Sequence, residues 1–193
     1  KKELSQNKIN TMSDIDDYKT QEYVPQILTN NVLFNNLQIP IPQGTDAGAF
    51  GAVRKHDIHT GIDLYVPENT SVYALDDGIV IDISVFTGQL ASPTSPWWNE
   101  TYAVIVYHVN LNIFILYGEI QPINLKKYQI VEKGSLIGNV LKVLKKYKNK
   151  PMSMLHVEAY SYFDFTKFPF IHPVWHHNQP MPDFLLNPIK YIQ

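Results

Sequence analysis

Two segments of this chain carry side chains that could bind a metal ion. The first runs Arg54-Lys55-His56-Asp57-Ile58-His59-Thr60-Gly61-Ile62-Asp63-Leu64, with His59 and Asp63 four residues apart. On a helix that spacing would stack the two, but Thr60, Gly61 and Ile62 are poor helix formers. In a fully extended strand they would stand about 13 Å apart. Ligands of one ion must converge to about 2 Å from it. A shared ion therefore requires the chain to bend between them, and Gly61 is suited to that bend. Taken alone, the pair also fits a His and an Asp in a surface turn. The second segment is Ser153-Met154-Leu155-His156-Val157-Glu158-Ala159-Tyr160. Period-two alternation puts Leu155, Val157 and Ala159 on an apolar core face and Met154, His156, Glu158 and Tyr160 on the opposite, polar one. His156 there could be a ligand, or a histidine satisfied by a backbone carbonyl. The chain has no cysteine. Disulfides and thiolate sites are excluded, and any metal must be held by His, Asp or Glu.

The elements that must position these residues read as short strands. Residues 71–75 run into Asp76-Asp77-Gly78, a turn signal. Ile79, Ile81, Ile83 and Val85 alternate with Val80, Asp82 and Ser84. Stretches 102–109 and 112–117 form a hairpin joined near Asn110, and 135–143 and 153–160 are two further strands. Residues 141–147 could instead form a short lysine-rich helical turn. The pattern predicts an all-β barrel or sandwich over 51–162. Residues 1–24 read as a polar, loosely held arm. Residues 25–50, with Pro25, Pro40, Pro42, Gly44 and Gly48, read as extended and irregular, so 1–50 form an N-terminal arm. Thr87 to Glu100 is a long insertion carrying Pro93, Pro96, Trp97 and Trp98. Residues 163–193, rich in Phe, Pro and His, form a C-terminal extension packed on the domain.

The 193 residues, 45% hydrophobic, suffice for one domain with a real core. A net charge of -2 and a single arginine, Arg54, lack the basic footprint of a nucleic-acid binder. No apolar run approaches the roughly 18 residues that span a bilayer. The start at Lys1-Lys2, without Met, is read as a trimmed or mature product.

His59-Thr60-Gly61-Ile62-Asp63, followed by Val66-Pro67-Glu68-Asn69-Thr70-Ser71-Val72-Tyr73-Ala74-Leu75-Asp76-Asp77-Gly78-Ile79-Val80, resembles the lysostaphin/LytM zinc endopeptidases. So do Tyr117-Gly118-Glu119-Ile120, Val131-Glu132-Lys133-Gly134-Ser135-Leu136-Ile137-Gly138 and Leu155-His156-Val157-Glu158. The resemblance covers about 51–162 and implies a compact antiparallel β barrel-sandwich hybrid. It implies one Zn²⁺ held by His59, Asp63 and His156, an extracytoplasmic location, and peptidoglycan peptides as substrate. Three ligands leave a fourth position for water, which the metal acidifies. Two positions depart from the pattern. The family's histidine after Tyr-Gly is Glu119 here, and the first histidine of its His-x-His strand is Met154. Methionine cannot donate a proton, whereas Glu119 could act as general base. The oxyanion would then need a tyrosine such as Tyr117 or Tyr160, or the metal alone. The two departures leave a choice between an active hydrolase and a silent LytM-like module that binds wall or regulates a partner enzyme.

Other residues admit two readings. Arg54 could pair with a substrate carboxylate, or with Asp57 or Asp77. Trp97 and Trp98 could wall a substrate groove, or pin the insertion to the domain. His172, His176 and His177 suggest a metal cluster, but their Phe, Pro and Trp neighbours favour a packed tail. His56 reads as an exposed turn residue and His108 as a hairpin cap. The rhythm of Val72–Val80 and Val131–Gly138 also resembles biotinyl/lipoyl carrier barrels, but Asp76-Asp77-Gly78 lacks the lysine that a carrier modifies.

Overall fold

The computed structural model describes residues 36–92, 97–147, 149–162 and 172–192. Most of the N-terminal arm, Pro93 and Pro96 of the insertion, and the start of the C-terminal extension lie outside the described residues. Among the described residues nine strands follow in order: β1 Ile62–Leu64, β2 Ser71–Tyr73, β3 Gly78–Thr87, β4 Thr101–His108, β5 Ile113–Pro122, β6 Ile130–Val131, β7 Leu136–Val140, β8 Leu155–Tyr160 and β9 Leu185–Leu186. One helical turn, α1 Ile189–Ile192, follows. All pairings between strands are antiparallel, in the order β1-β8-β5-β4-β3-β6, with β7 joining β5 to β2 and β9 flanking β8. The fold is all-β, as the strand pattern predicts. No helix among the described residues is long and apolar enough to cross a membrane.

The central strands are rich in Val, Ile and aromatic residues, which fit a pleated, packed surface. Both of their faces are buried. Val104, Val106, Ile113, Ile115, Tyr117, Leu155, Val157 and Ala159 belong to the main core. Ala103, Ile105, Phe114, Leu116 and Tyr160 pack in a second cluster on the other face, with Leu185. This corrects one expectation. The face carrying His156 does not look into solvent: every residue of β8 is buried.

Bulges explain two further departures. The register of β3 against β4 shifts between Val80 and Asp82. Val80 therefore enters the main core and Ile81 the second cluster. Val85 ends exposed, and Asp82 is buried with Lys127 Nζ at 3.5 Å. The unbroken alternation expected for 79–85 does not survive, because one extra residue reverses the faces. Residues 141–147 form no helix. Val143 accepts from Asn99 N and donates to Met152 O, each at 2.8 Å, and Leu144 bridges Trp98. Backbone pairing with two other segments outweighs the helical preference of the lysines. The β4–β5 hairpin turns through Asn112, whose φ is 51°.

Candidate metal centre

The register of β1 against β8 pairs Asp63 directly with His156. Directly opposed residues share a face, so this pairing alone brings a carboxylate to an imidazole 93 positions away. His156 Nδ1 lies 2.8 Å from Asp63 Oδ1. The loop before β1 supplies the third group. His59 N donates to Ala52 O at 2.9 Å and Gly51 N donates to His59 O at 2.9 Å. That pairing sets His59 Nε2 3.2 Å from Asp63 Oδ1 and 3.3 Å from His156 Nδ1. Ligand atoms at about 2.0–2.1 Å in a tetrahedral site stand roughly 3.3–3.4 Å apart. The three observed separations fall close to that triangle.

Gly61 makes the convergence possible, but for a different reason from the expected bend. A Cβ at this position would lie 2.6 Å from His156 Nε2 and 2.5 Å from Val157 O. Glycine is needed there because the loop passes against the imidazole. Gly48 has a related part: a Cβ there would lie 3.1 Å from Asp63 Cβ.

The outer contacts orient each group. His59 Nδ1 stands 2.9 Å from Ala49 O. A carbonyl only accepts, so Nδ1 carries the hydrogen and Nε2 presents its lone pair to the centre. His156 Nε2 stands 2.9 Å from Glu158 Oε1, which leaves its Nδ1 lone pair inward by the same logic. Arg54 Nη2 donates to Asp63 Oδ2 at 2.6 Å, and the guanidinium is fixed by two bonds to Ala47 O. Arg54 therefore pairs with Asp63, not with Asp57 or Asp77. Two imidazole lone pairs and a carboxylate oxygen face one point, a donor set that fits a divalent cation of the zinc type.

The electrostatics agree. Burial drives the His59 imidazole below its usual value, which favours the neutral form that ligates. Burial also opposes charge on Asp63, but hydrogen bonds from His156 and His59 outweigh it and hold the carboxyl well below the usual range. For His156, burial is again outweighed, here by hydrogen bonds to Asp63 and Glu158, which raise it to about 10. In the metal-free chain one proton on His156 joins the two carboxylates.

Glu119 enters from the sheet's main irregularity. β5 pairs with β8 up to Gly118↔His156 and with β7 from Ile120↔Val140. Its register against β4 skips Glu119, whose φ is 64°. A non-glycine residue in the left-handed region is costly and persists where the surroundings impose it. The bulge reverses the faces, so Tyr117 and Ile120 both enter the main core while Glu119 lines the cavity. Glu119 is 6% exposed and its Oε2 has no hydrogen-bond partner among the described residues. Burial first, and the charge of Asp63 second, push its carboxyl up to about 8.

The cavity has a volume of about 470 Å³. Arg54, His59, Asp63, Glu119, His156 and Trp98 all line it. Tyr117 does not. Its hydroxyl accepts from Leu75 N at 3.0 Å and lies 2.8 Å from His108 Nε2, inside the core. Tyr160 is likewise turned away, donating to Glu158 Oε2. Neither tyrosine can reach an oxyanion at the centre. Trp97 is exposed and outside the lining, while Trp98 alone of the pair borders the cavity. His108 is fully buried against Tyr117 and Asp77 O. Beside Met154 and His172, the cavity is lined by Tyr65, Phe86 and Trp175, which reading along the chain does not single out and which come from three separate segments. Tyr65 alone had a usable cue, since it stands two residues after Asp63 and so on the same side of the extended chain.

Solved structures share this fold. The chain resembles the catalytic domain of the antimicrobial peptidase lysostaphin from Staphylococcus simulans, with a TM-score of 0.51 and 15% identity over 83% of this chain and 94% of that one. The solution structure of lysostaphin gives a TM-score of 0.50 at 14% identity, over 83% of this chain and 51% of that one. The chain thus spans about half the length of that lysostaphin chain, and identities this low speak for the fold. No curated protein is significantly similar in sequence. The model of peptidase family M23 matches residues 57–164, which include all three converging groups and Glu119. The chain belongs to peptidase family M23.

Proposed function

We propose that this protein is a zinc-dependent peptidase that hydrolyses peptide bonds of peptidoglycan outside the cytoplasm, with His59, Asp63 and His156 as ligands and Glu119 as general base. Family M23 membership supports a peptidase, and peptidoglycan is the substrate that the LytM resemblance implies. The observation that carries the reading is that His59 Nε2, Asp63 Oδ1 and His156 Nδ1 converge in one cavity with the buried Glu119 carboxyl, whose Oε2 has no hydrogen-bond partner among the described residues. Zinc held by His59, Asp63 and His156 would supply Lewis acidity, polarising the scissile carbonyl and acidifying a water.

The residues of the chain do the rest. Glu119 takes the water's proton and passes it to the leaving amine. It must be ionised to start. Once the charge of Asp63 is engaged by a cation, its repulsion of Glu119 falls and the carboxylate form is favoured. Arg54 keeps Asp63 from rotating away. Phe86, Trp98 and Trp175 line the cavity with apolar surface, which thins water around the reacting bond. Tyr65 is the oxyanion donor in this scheme, in place of Tyr117 or Tyr160. It lines the cavity, and burial followed by the charge of Asp63 raises its hydroxyl to about 12, so it stays a donor.

Metal analysis of purified protein, alongside a digest of whole peptidoglycan, tests this directly. One zinc per chain with release of soluble peptides is expected. A protein that holds no zinc after loading refutes it. A second reading, a silent module that binds wall or a partner enzyme, draws on Met154. This residue lines the cavity where the family places a histidine. That reading predicts zinc without turnover.

A further inference from the structure

Glu158 is fully buried, yet it belongs to no step of the scheme above. Its Oε1 is surrounded by three donors: His156 Nε2 at 2.9 Å, Thr60 Oγ1 at 2.5 Å and His172 Nε2 at 2.7 Å. Its Oε2 accepts from the Tyr160 hydroxyl. The His156, Glu158 and His172 donor atoms are grouped closely enough to suggest a second cation site. The hydrogen bonding argues against one. Thr60 and His156 fill Oε1 with donated hydrogens, and His156 Nε2 must keep its hydrogen if Nδ1 is to face the centre. Glu158 is an acceptor that fixes the ring of His156.

His172 comes from the C-terminal extension, between β8 and β9 and 14 positions from Glu158. It is wedged against Phe86, with ring centroids 5.4 Å apart, and against His156 at 6.3 Å. The same segment is held at three more points. Ile58 N donates to Trp175 O at 2.8 Å, one residue before His59. The Trp175 ring packs on Phe50 at 6.0 Å. His177 Nε2 lies 3.0 Å from both Arg54 O and Asp57 O. The extension thus touches the outer partner of His156 through His172, and the loop that carries Arg54, the outer partner of Asp63, through His177.

We propose that His172 is a positioning residue of the metal centre: it holds Glu158, Glu158 holds the Nε2–H of His156, and the C-terminal extension thereby sets zinc affinity. This rests on zinc binding at His59, Asp63 and His156. It adds a residue outside the span that the family model matches. Outer acceptors of metal-bound histidines commonly change metal affinity 10–100-fold when lost. His172 acts one bond further out, so the lower end of that range, about tenfold, is expected.

The test is zinc affinity, measured by chelator competition on the full chain. His172→Ala should weaken zinc about tenfold. His172→Gln, which places an amide N–H near the former Nε2, should recover most of the loss. Met181→Ala, an exposed change in the same extension, should leave affinity unchanged. Imidazole ¹⁵N spectra give a second readout. Zinc-loaded wild type should show a slowly exchanging Nε2–H on His156, and His172→Ala should exchange it faster. If wild type binds zinc and His172→Ala binds it as tightly, the inference is overturned while the metal site stands. If wild type binds none, both fall. Should His172→Ala fail to fold, His172→Gln with the spectra decides, and loss of affinity equal to that of a deleted donor overturns the proposal.

Discussion

Glu119→Gln separates a carboxyl kept for chemistry from one kept for structure. The change preserves shape and removes ionisation. In the metal-free protein the carboxyl is raised from 4.5 to about 8 by burial and by Asp63. Between these pH values the folded chain holds a proton that the unfolded chain has released. Stability of the wild type therefore falls as pH rises through this window, and remains lowered above it. At about 1.36 kcal/mol for each tenfold in proton affinity, the ceiling is about 5 kcal/mol. Solvent entering the cleft recovers part of this, so about 2–4 kcal/mol is expected. Glutamine has no proton to lose. Urea unfolding of both metal-free proteins should give similar stabilities near pH 4 and a more stable variant at pH 8 to 9. Zinc content should be unchanged, while hydrolysis of peptidoglycan falls by about 10²–10⁴-fold, the usual contribution of a general base. Greater stability with lost activity is the signature of a functional residue held in a costly place. Full activity in the variant refutes the role of base. Equal stabilities at pH 8 to 9 refute the claim that Glu119 is held uncharged by its surroundings.

The other predictions concern the ligands and their support. His59→Ala or Asp63→Ala should reduce bound zinc to a small fraction after dialysis, because two ligands and water hold it poorly; elemental analysis reads this. Because His156 is raised to about 10 and Glu119 to about 8 in the metal-free chain, zinc binding near pH 8 should release more than one proton, seen by calorimetry in buffers of different ionisation heat. The His156 proton stabilises the metal-free fold fully below about pH 6.5, and that share is lost as pH rises through about 10. Gly61→Ala should displace the His156 ring and weaken both zinc binding and stability, the latter by about 1–3 kcal/mol in thermal unfolding. Tyr117→Phe leaves Leu75 N and His108 without their partner and should cost about 1–2 kcal/mol of stability with hydrolysis per folded molecule unchanged.

The chain by itself determined the strand content, the donor types and the three ligand candidates. β-branched runs between Gly and Asp turns specify antiparallel strands through local preference, and a sequence without cysteine leaves only His, Asp and Glu as strong ligands. Tertiary structure decided which side chains share a point in space. The β1–β8 register paired Asp63 with His156, and a single bulge turned Glu119 toward the cavity while leaving Tyr117 in the core. Alternation read along a strand cannot foresee that reversal, since one inserted residue exchanges the two faces and nothing local marks where it falls. Arg54 on Asp63 and His172 on Glu158 are likewise contacts between a loop and a strand, 9 and 14 positions apart, that no local pattern marks. Such contacts depend on how loops close over the sheet, and loop closure is set by the packing of the whole domain.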